Sequence, residues 1–274
     1  MPARDRGESD LELIERAVRE AGGIARRFFG GDYKRWSKKR GEPVTEADLA
    51  VDRFLRETLE AARPDYGWLS EETGAHPGRL PSDRYFIVDP IDGTTAFMKG
   101  RPHFSISVAV AESSHSIAGA VYNPILDEMF AAGLGQHTLL NGAPVGVHDC
   151  DAIEGCRMLA AQTMLTDPRW SVPPNTPWPQ MQIETRSSIA YRMALVAAGT
   201  FDAAVFFTPK HDWDVAAADI IVREAGGLVT TMEGDPLSYG SLATVQRSMI
   251  CAGPRLHALL LDKVRHADLR QDTP

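Results

Sequence analysis

Residues 85–95 read YFIVDPIDGTT: an apolar run that ends at an aspartate, a second aspartate three residues on, then a glycine and two threonines. Tyr85 to Val88 have the aromatic and β-branched character of a strand. Pro90 fixes φ near about −65° and is favoured at the second position of a type I turn, with Asp favoured at the first. The segment therefore predicts a turn that folds Asp92 back toward Asp89. Two carboxylates that close repel unless a cation sits between them, and oxygen donors suit a hard ion such as Mg²⁺. Gly93 lets a phosphate approach the backbone, and N–H groups opening the next helical turn can bind its oxygens. Taken alone, the stretch also reads as a plain surface turn.

Further acidic residues strengthen the cation reading. WLSEETG (68–74) puts Glu71 and Glu72 directly after a strand, and HDWDVAAADIIVREAGG (211–227) puts Asp214 at the start of an apolar helix. Singly, these are a charged loop and an ordinary N-cap. Together they supply the several oxygens that a two-metal phosphatase site requires.

The whole chain is compatible with such a site. Its 274 residues, 43% hydrophobic and 24% charged, have the composition of a globular protein with a substantial core. A formal net charge of −8 argues against a nucleic-acid binder, which holds phosphates with Lys and Arg. An acidic protein acting on phosphates needs metal ions to reverse the local sign. Cys150, Cys156 and Cys251 lack the paired spacing of a zinc site and fit a reducing compartment. The N-terminus shows no signal-peptide pattern, and no apolar run approaches the ~18 residues of a membrane span. A cytoplasmic protein is expected.

Outward from the aspartates, Ser9 and Glu12 form an S-x-x-E capping box, followed by a helical stripe of Leu11, Ile14, Val18, Ala21, Ala25 and Phe28. Residues 30–43, glycine-rich and basic, read as a loop or irregular hairpin before Thr45 opens a second helix that stops before Pro64. Strand-like runs follow at 66–70, 84–89, 104–111, 116–123 and 127–133, predicting an antiparallel sheet with helices packed on it. The pattern thins over 141–155, which places a boundary between an N-terminal lobe (1–148) and a C-terminal lobe (149–274). Beyond it, helix and strand alternate: a helix over 187–199, a strand over 201–207, a helix over 214–225, a strand over 228–232 and a last helix over 255–267. The Pro-rich stretch 171–179 reads as an exposed loop.

WLSEETG, VDPIDGTTAF (88–97) and WDVAAADIIVREAGG (213–227), with PVTEAD (43–48) upstream, closely resemble the signatures of the inositol monophosphatase family of Mg²⁺-dependent, lithium-sensitive phosphatases. The resemblance implies an α+β fold, a layered α/β/α/β/α sandwich with a mostly antiparallel N-terminal sheet and a smaller mixed C-terminal one. It implies two or three Mg²⁺ ions. Glu71, Asp89 and the Ile91 carbonyl would ligate the first, and Asp89, Asp92 and Asp214 the second. Thr94 matches the threonine that helps activate the attacking water, with Asp48 as its hydrogen-bonded partner and Glu71 completing the catalytic set. Gly93, Thr94 and Thr95 would contact phosphate, and Lys38 matches a lysine near a third, weaker metal site. Direct in-line displacement by water, without a covalent intermediate, and a homodimer are also implied. The partner would be a small phosphorylated metabolite, with neither nucleic acid nor membrane.

The substrate is less constrained. Where inositol phosphatases carry a glutamate seven residues before the last ligand aspartate, this chain has Phe207. Phe207 with Arg192 and Lys210 suits a nucleotide, by base stacking and a second phosphate contact; alternatively, Phe207 is a core strand residue. Inositol monophosphate, 3′-phosphoadenosine 5′-phosphate and histidinol phosphate are the substrates considered. His103 and His211 need no catalytic role, and Trp68 and Trp213 read as packing residues. An aspartyl-phosphate mechanism of the haloacid dehalogenase type is disfavoured, because its two aspartates are separated by one residue and these by two. A non-catalytic metal- or phosphate-responsive binding protein is the alternative of another class.

Overall fold

The computed structural model describes residues 8–37, 43–75, 83–240 and 244–266. The first capping box forms at α1 (Asp10–Phe28), where Ser9 Oγ accepts from the Glu12 N–H at 3.3 Å and the Glu12 carboxylate accepts from the Ser9 N–H at 2.8 Å. Leu13, Ile14, Ala17, Val18, Ala21 and Ala25 of this helix are fully buried. The basic segment closes as an antiparallel hairpin of β1 (Arg35–Ser37) with β2 (Pro43–Thr45), which runs directly into α2 (Glu46–Ala62).

A large sheet follows, built from β3 (Gly67–Ser70), β4 (Gly74–Ala75), β5 (Arg84–Asp92), β6 (Ser105–Glu112), β7 (His115–Asn123), β8 (Glu128–Gly133), β9 (Leu139–Leu140) and β10 (Ala143–Pro144). Its spatial order is β10, β9, β8, β7, β6, β5, β3, β4, antiparallel throughout except for β3 beside β5. The short α3 (Thr94–Met98) leaves the end of β5. A second, mixed sheet has the order β12 (Gln182–Glu184), β11 (Arg157–Leu159), β13 (Ala203–Phe206), β17 (Met249–Ala252), β15 (Leu228–Thr230), with β11 parallel to both neighbours and the other pairs antiparallel. Between these strands lie α4 (Gln162–Leu165), α5 (Ile189–Ala197), α6 (Asp212–Glu224) and a small pairing of β14 (Lys210–His211) with β16 (Val245–Gln246); α7 (Pro254–Val264) follows β17.

Side-chain alternation along the strands sets the layers. From β5, Phe86 and Val88 join α1 and α2 in one core, while Tyr85 and Ile87 face the opposite core with α5 and α6. From β13, Ala204 and Phe206 meet that same middle core, whereas Ala203 and Val205 face outward toward α7. The result is the α/β/α/β/α sandwich, with α5 and α6 enclosed between two sheets. That enclosure explains why α6 reads AAADII in its middle, since small residues let it approach both sheets. Two expectations are corrected. The sixth helix starts at Asp212 rather than Asp214, and the Pro-rich stretch is not wholly exposed, because Trp178 packs on Trp170 with ring centroids 5.2 Å apart. Among the described residues no helix is long and apolar enough to cross a membrane.

α6 approaches the large sheet closely at Gly119 of β7, where an added Cβ would lie 2.4 Å from the Ala217 carbonyl oxygen and 2.7 Å from Ile220 Cγ2 on α6. Gly119→Ala is expected to destabilise the protein by on the order of 1–3 kcal/mol through overpacking, read as a lowered urea midpoint with an unchanged slope.

Candidate active site

β5 is a central strand, a place where proline ordinarily breaks the ladder. Its pairing with β6 shifts between Asp89, opposite Ser107, and Asp92, opposite Ser105. Three steps on β5 thus face two on β6, which is a β-bulge. The turn expected at Pro90 is instead this bulge inside a buried strand. The difference matters for chemistry, because side chains three residues apart on a regular strand point to opposite faces. The extra residue brings both carboxylates round to one site and makes room for a residue without an N–H. Asp89 Oδ1 also accepts from the Ile91 N–H at 3.1 Å.

Asp214 arrives from α6. It is the third residue of α6, and its Oδ2 accepts from the His211 N–H at 2.8 Å, so it closes the cap from inside the helix rather than acting as the N-cap. One carboxylate oxygen from each of Asp89, Asp92 and Asp214 lies within 4.8 Å of the other two. Glu71, whose N–H donates to the Val88 carbonyl at 3.2 Å, adds its charge to all three. Burial, and then mutual repulsion, raises the proton affinity of Asp89 and Asp214 well above the usual carboxylate range. Asp92 is also raised, by burial first, with its hydrogen bonds opposing. The trio offers hard oxygens and neither sulfur nor nitrogen, crowded until a divalent ion neutralises them, so this donor set fits Mg²⁺.

Beside this trio lies a hydroxyl–carboxylate pair. Thr94 Oγ1 is 3.1 Å from Asp48 Oδ1 and 3.1 Å from the Ile91 carbonyl. Its single hydrogen serves one acceptor at a time, and when it goes to Asp48 the oxygen lone pairs are available to a water. Asp48 is buried and held through Oδ2 by the Thr45 N–H at 2.8 Å and the Thr45 hydroxyl at 2.5 Å. Burial pushes its pKa up to about 6, against the opposing pull of the Thr45 hydrogen bonds.

No local sequence pattern marks Ser188. This N-cap residue of α5 is fully buried and donates its hydroxyl to Asp92 Oδ2 at 2.6 Å, while the Ala190 N–H donates to the same oxygen at 2.7 Å. Ser188 Oγ accepts from the Tyr191 N–H at 2.9 Å and lies 2.9 Å from Ser105 Oγ. The contact spans 96 residues of chain, beyond any local pattern. Gly93 makes the approach possible: its φ is 95°, and a Cβ there would lie 2.9 Å from the Ser188 nitrogen and 3.1 Å from the His103 carbonyl oxygen.

Other expected residues are distributed as follows. Thr94 is buried and Thr95 exposed at the start of α3. Ile91 has its side chain in the first core and its carbonyl beside Thr94. Phe207 continues the outward alternation of β13 and is 9% exposed, packed on Trp170 and Trp178 with centroids 5.6 and 6.3 Å away. Arg192 donates to the Arg186 carbonyl. Trp68 is buried, and Trp213 stacks on His211 at 4.4 Å. Lys38 lies outside the described residues.

Fold and donor set together are those of a metal-dependent phosphatase. The model of the inositol monophosphatase family matches residues 8–269, and the chain belongs to that family. It is 32% identical over 259 residues to an inositol-1-monophosphatase of Mesorhizobium japonicum, covering 88% of this chain and 95% of that one. It is 31% identical over 261 residues to a Pasteurella multocida protein named Nus factor SuhB, covering 93% and 95%. The crystal structure of the extragenic suppressor protein suhB from Bartonella henselae matches with a TM-score of 0.80 at 28% identity, covering 93% of this chain and 98% of that one.

Two outcomes are expected. Ser188→Ala should weaken Mg²⁺ binding by roughly tenfold in calorimetry, because Asp92 loses the hydroxyl that orients it. In chelator, Asp48 and Asp92, each pushed up to about 6, bind more protons folded than unfolded, so their contribution to stability is greatest in acid and falls as pH rises from the unfolded value of about 4 through the folded one. The melting temperature should therefore drop as pH rises from about 5 to about 8 in chelator, and Mg²⁺ should reverse the drop.

Proposed function

We propose that this protein is a Mg²⁺-dependent phosphomonoesterase that hydrolyses a small phosphorylated metabolite, inositol monophosphate or 3′-phosphoadenosine 5′-phosphate, by direct attack of water. The observation that carries this reading is the Thr94–Asp48 pair set beside the Asp89, Asp92 and Asp214 trio. Glu71, Asp89, the Ile91 carbonyl, Asp92 and Asp214 would hold the ions. Bound there, divalent cations supply Lewis acidity, lowering the pKa of a water and stabilising charge on the phosphoryl and leaving oxygens.

The chain's own residues handle the proton. Thr94 Oγ1 accepts a proton from the attacking water as its own hydrogen passes to Asp48 Oδ1. The water oxygen forms the new bond to phosphorus, the ester P–O bond breaks with its electron pair on the leaving oxygen, and solvent protonates that oxygen. A carboxylate pushed up to about 6 suits a proton acceptor working near neutrality. Gly93 and Thr95 border the place where the phosphate would sit. Phe207 is packed in the outer core, so base stacking on its ring does not support the nucleotide over the inositol ester; histidinol phosphate is the alternative substrate. Relatives named Nus factor SuhB favour a second reading, a binding protein built on the phosphatase fold.

Phosphate release from a panel of these esters, with Mg²⁺, with chelator and with added Li⁺, separates the two. At least one ester should be hydrolysed with Mg²⁺ and not with chelator. Asp89→Asn should lower turnover by at least ~100-fold, and Thr94→Ala by roughly 100-fold or more while Mg²⁺ still binds. Full activity in Asp89→Asn would refute the site. Mg²⁺ binding with no hydrolysis of any ester would leave the binding-protein reading standing.

A further inference from the structure

On the face of the large sheet that meets α5 and α6, β5 and β6 pair Tyr85 with Ala111, Ile87 with Ala109 and Asp89 with Ser107. The first two pairs are buried in the middle core. By the two-residue period of a strand, Asp89 and Ser107 point to that same face, directly opposite each other. Each carboxylate of the bulge has a serine across from it, since Asp92 pairs with Ser105. The two serines differ in their bonding. Ser105 Oγ lies 2.9 Å from Ser188 Oγ, the hydroxyl that holds Asp92. Ser107 is 1% exposed, and its Oγ has no hydrogen-bond partner among the described residues.

A buried hydroxyl without a partner forfeits its bonds to water and gains none in return, so such groups are rare and call for a physical reason. The positions next to Ser107 on its face narrow that reason. Val121, opposite it on β7, and Ala109, two residues along β6, are apolar, and Ser105 is next to Ser188. Asp89 is the remaining neighbour. Asp92 Oδ2 accepts from two donors, whereas among the described residues Asp89 accepts only from the Ile91 N–H, through Oδ1. Opposed Cβ atoms of an antiparallel pair lie about 4.5–5.5 Å apart, so rotation of the short serine side chain brings its hydroxyl within reach of that carboxylate. Without an ion, repulsion from Asp92 and Asp214 turns the Asp89 carboxylate; a divalent ion replaces that repulsion with attraction. Carboxylates that ligate metals are themselves held by hydrogen bonds.

We propose that Ser107 is a positioning residue for the ion-loaded site: its hydroxyl, idle in the ion-free protein, donates to Asp89 when a divalent ion is bound. The hydroxyl then costs stability while the site is empty and contributes affinity once it is filled. Ser107 takes no part in proton transfer; it acts through Asp89. This inference rests on the ion site proposed above and adds to it a residue that β6, and none of the acidic motifs, contributes.

The test is Ser107→Ala, read in two ways that need no turnover. In chelator the melting temperature should stay the same or rise, because the substitution removes a buried hydroxyl that has no partner there. In calorimetry the Mg²⁺ dissociation constant should rise by roughly tenfold, the usual cost of losing a hydrogen bond to a ligating side chain. Ser107→Thr keeps the hydroxyl and suits a strand, and it should restore most of the affinity. A serine with a purely structural role would give a lowered melting temperature in chelator and an unchanged Mg²⁺ affinity, and either result overturns the proposal. An affinity loss that Ser107→Thr fails to restore overturns it as well. If the wild-type protein binds Mg²⁺ and Ser107→Ala binds it as tightly, only the role of Ser107 falls; a wild-type protein that binds no Mg²⁺ overturns the ion site and this inference together. Where both readings come out as expected and no ester is hydrolysed, the role of Ser107 stands and the phosphatase reading falls.

Discussion

Mutual repulsion among Asp89, Asp92 and Asp214 is the constraint around which this protein is built. Three carboxylates with oxygens within 4.8 Å of one another do not gather unless the surrounding structure holds them there. Two come from a single bulged strand and the third from α6, more than a hundred residues later in the chain. The force that holds them is the burial of apolar surface along β5 and on both faces of α5 and α6. Repulsion at the site is thus offset by packing elsewhere, and a divalent cation bound there would relieve it.

The same capping chemistry that starts the helices also builds the site. Thr45 and Asp48 cap α2, and Asp48 then meets Thr94. Ser188 caps α5 and orients Asp92. Asp214 closes the cap of α6 and joins the carboxylate cluster. Three helix N-termini converge on one place, and their unsatisfied N–H groups and positive dipole ends favour the anionic side chains collected there. Local folding and chemistry therefore depend on the same atoms, and a substitution at any of these caps would disturb both.

The substrate side follows from strand alternation. Ala203, Val205 and Phe207 share the outward face of β13 and its continuation, while Ala204 and Phe206 face the middle layer where α5 carries Arg192. An aromatic residue adjacent in sequence to the last ligand helix is therefore committed to packing with Trp170 and Trp178.

Much of this was legible in the chain itself. The capping boxes at Ser9 and Thr45, the helix periods, the strand runs and the order of WLSEETG, VDPIDGTT and WDVAAAD all reflect interactions between residues a few positions apart, and such interactions leave a local pattern. Those patterns were enough to indicate helices packed on an antiparallel sheet and an oxygen-donor site, while the layered sandwich was implied by the family resemblance of the motifs. Only the tertiary structure decided that Pro90 sits in a bulge and not a turn, because a bulge is defined by what the neighbouring strand does. It also decided that Ser188 reaches Asp92 across 96 residues and that Phe207 turns away from the site. These depend on which faces meet when two sheets close over α5 and α6, and no short-range spacing encodes that closure.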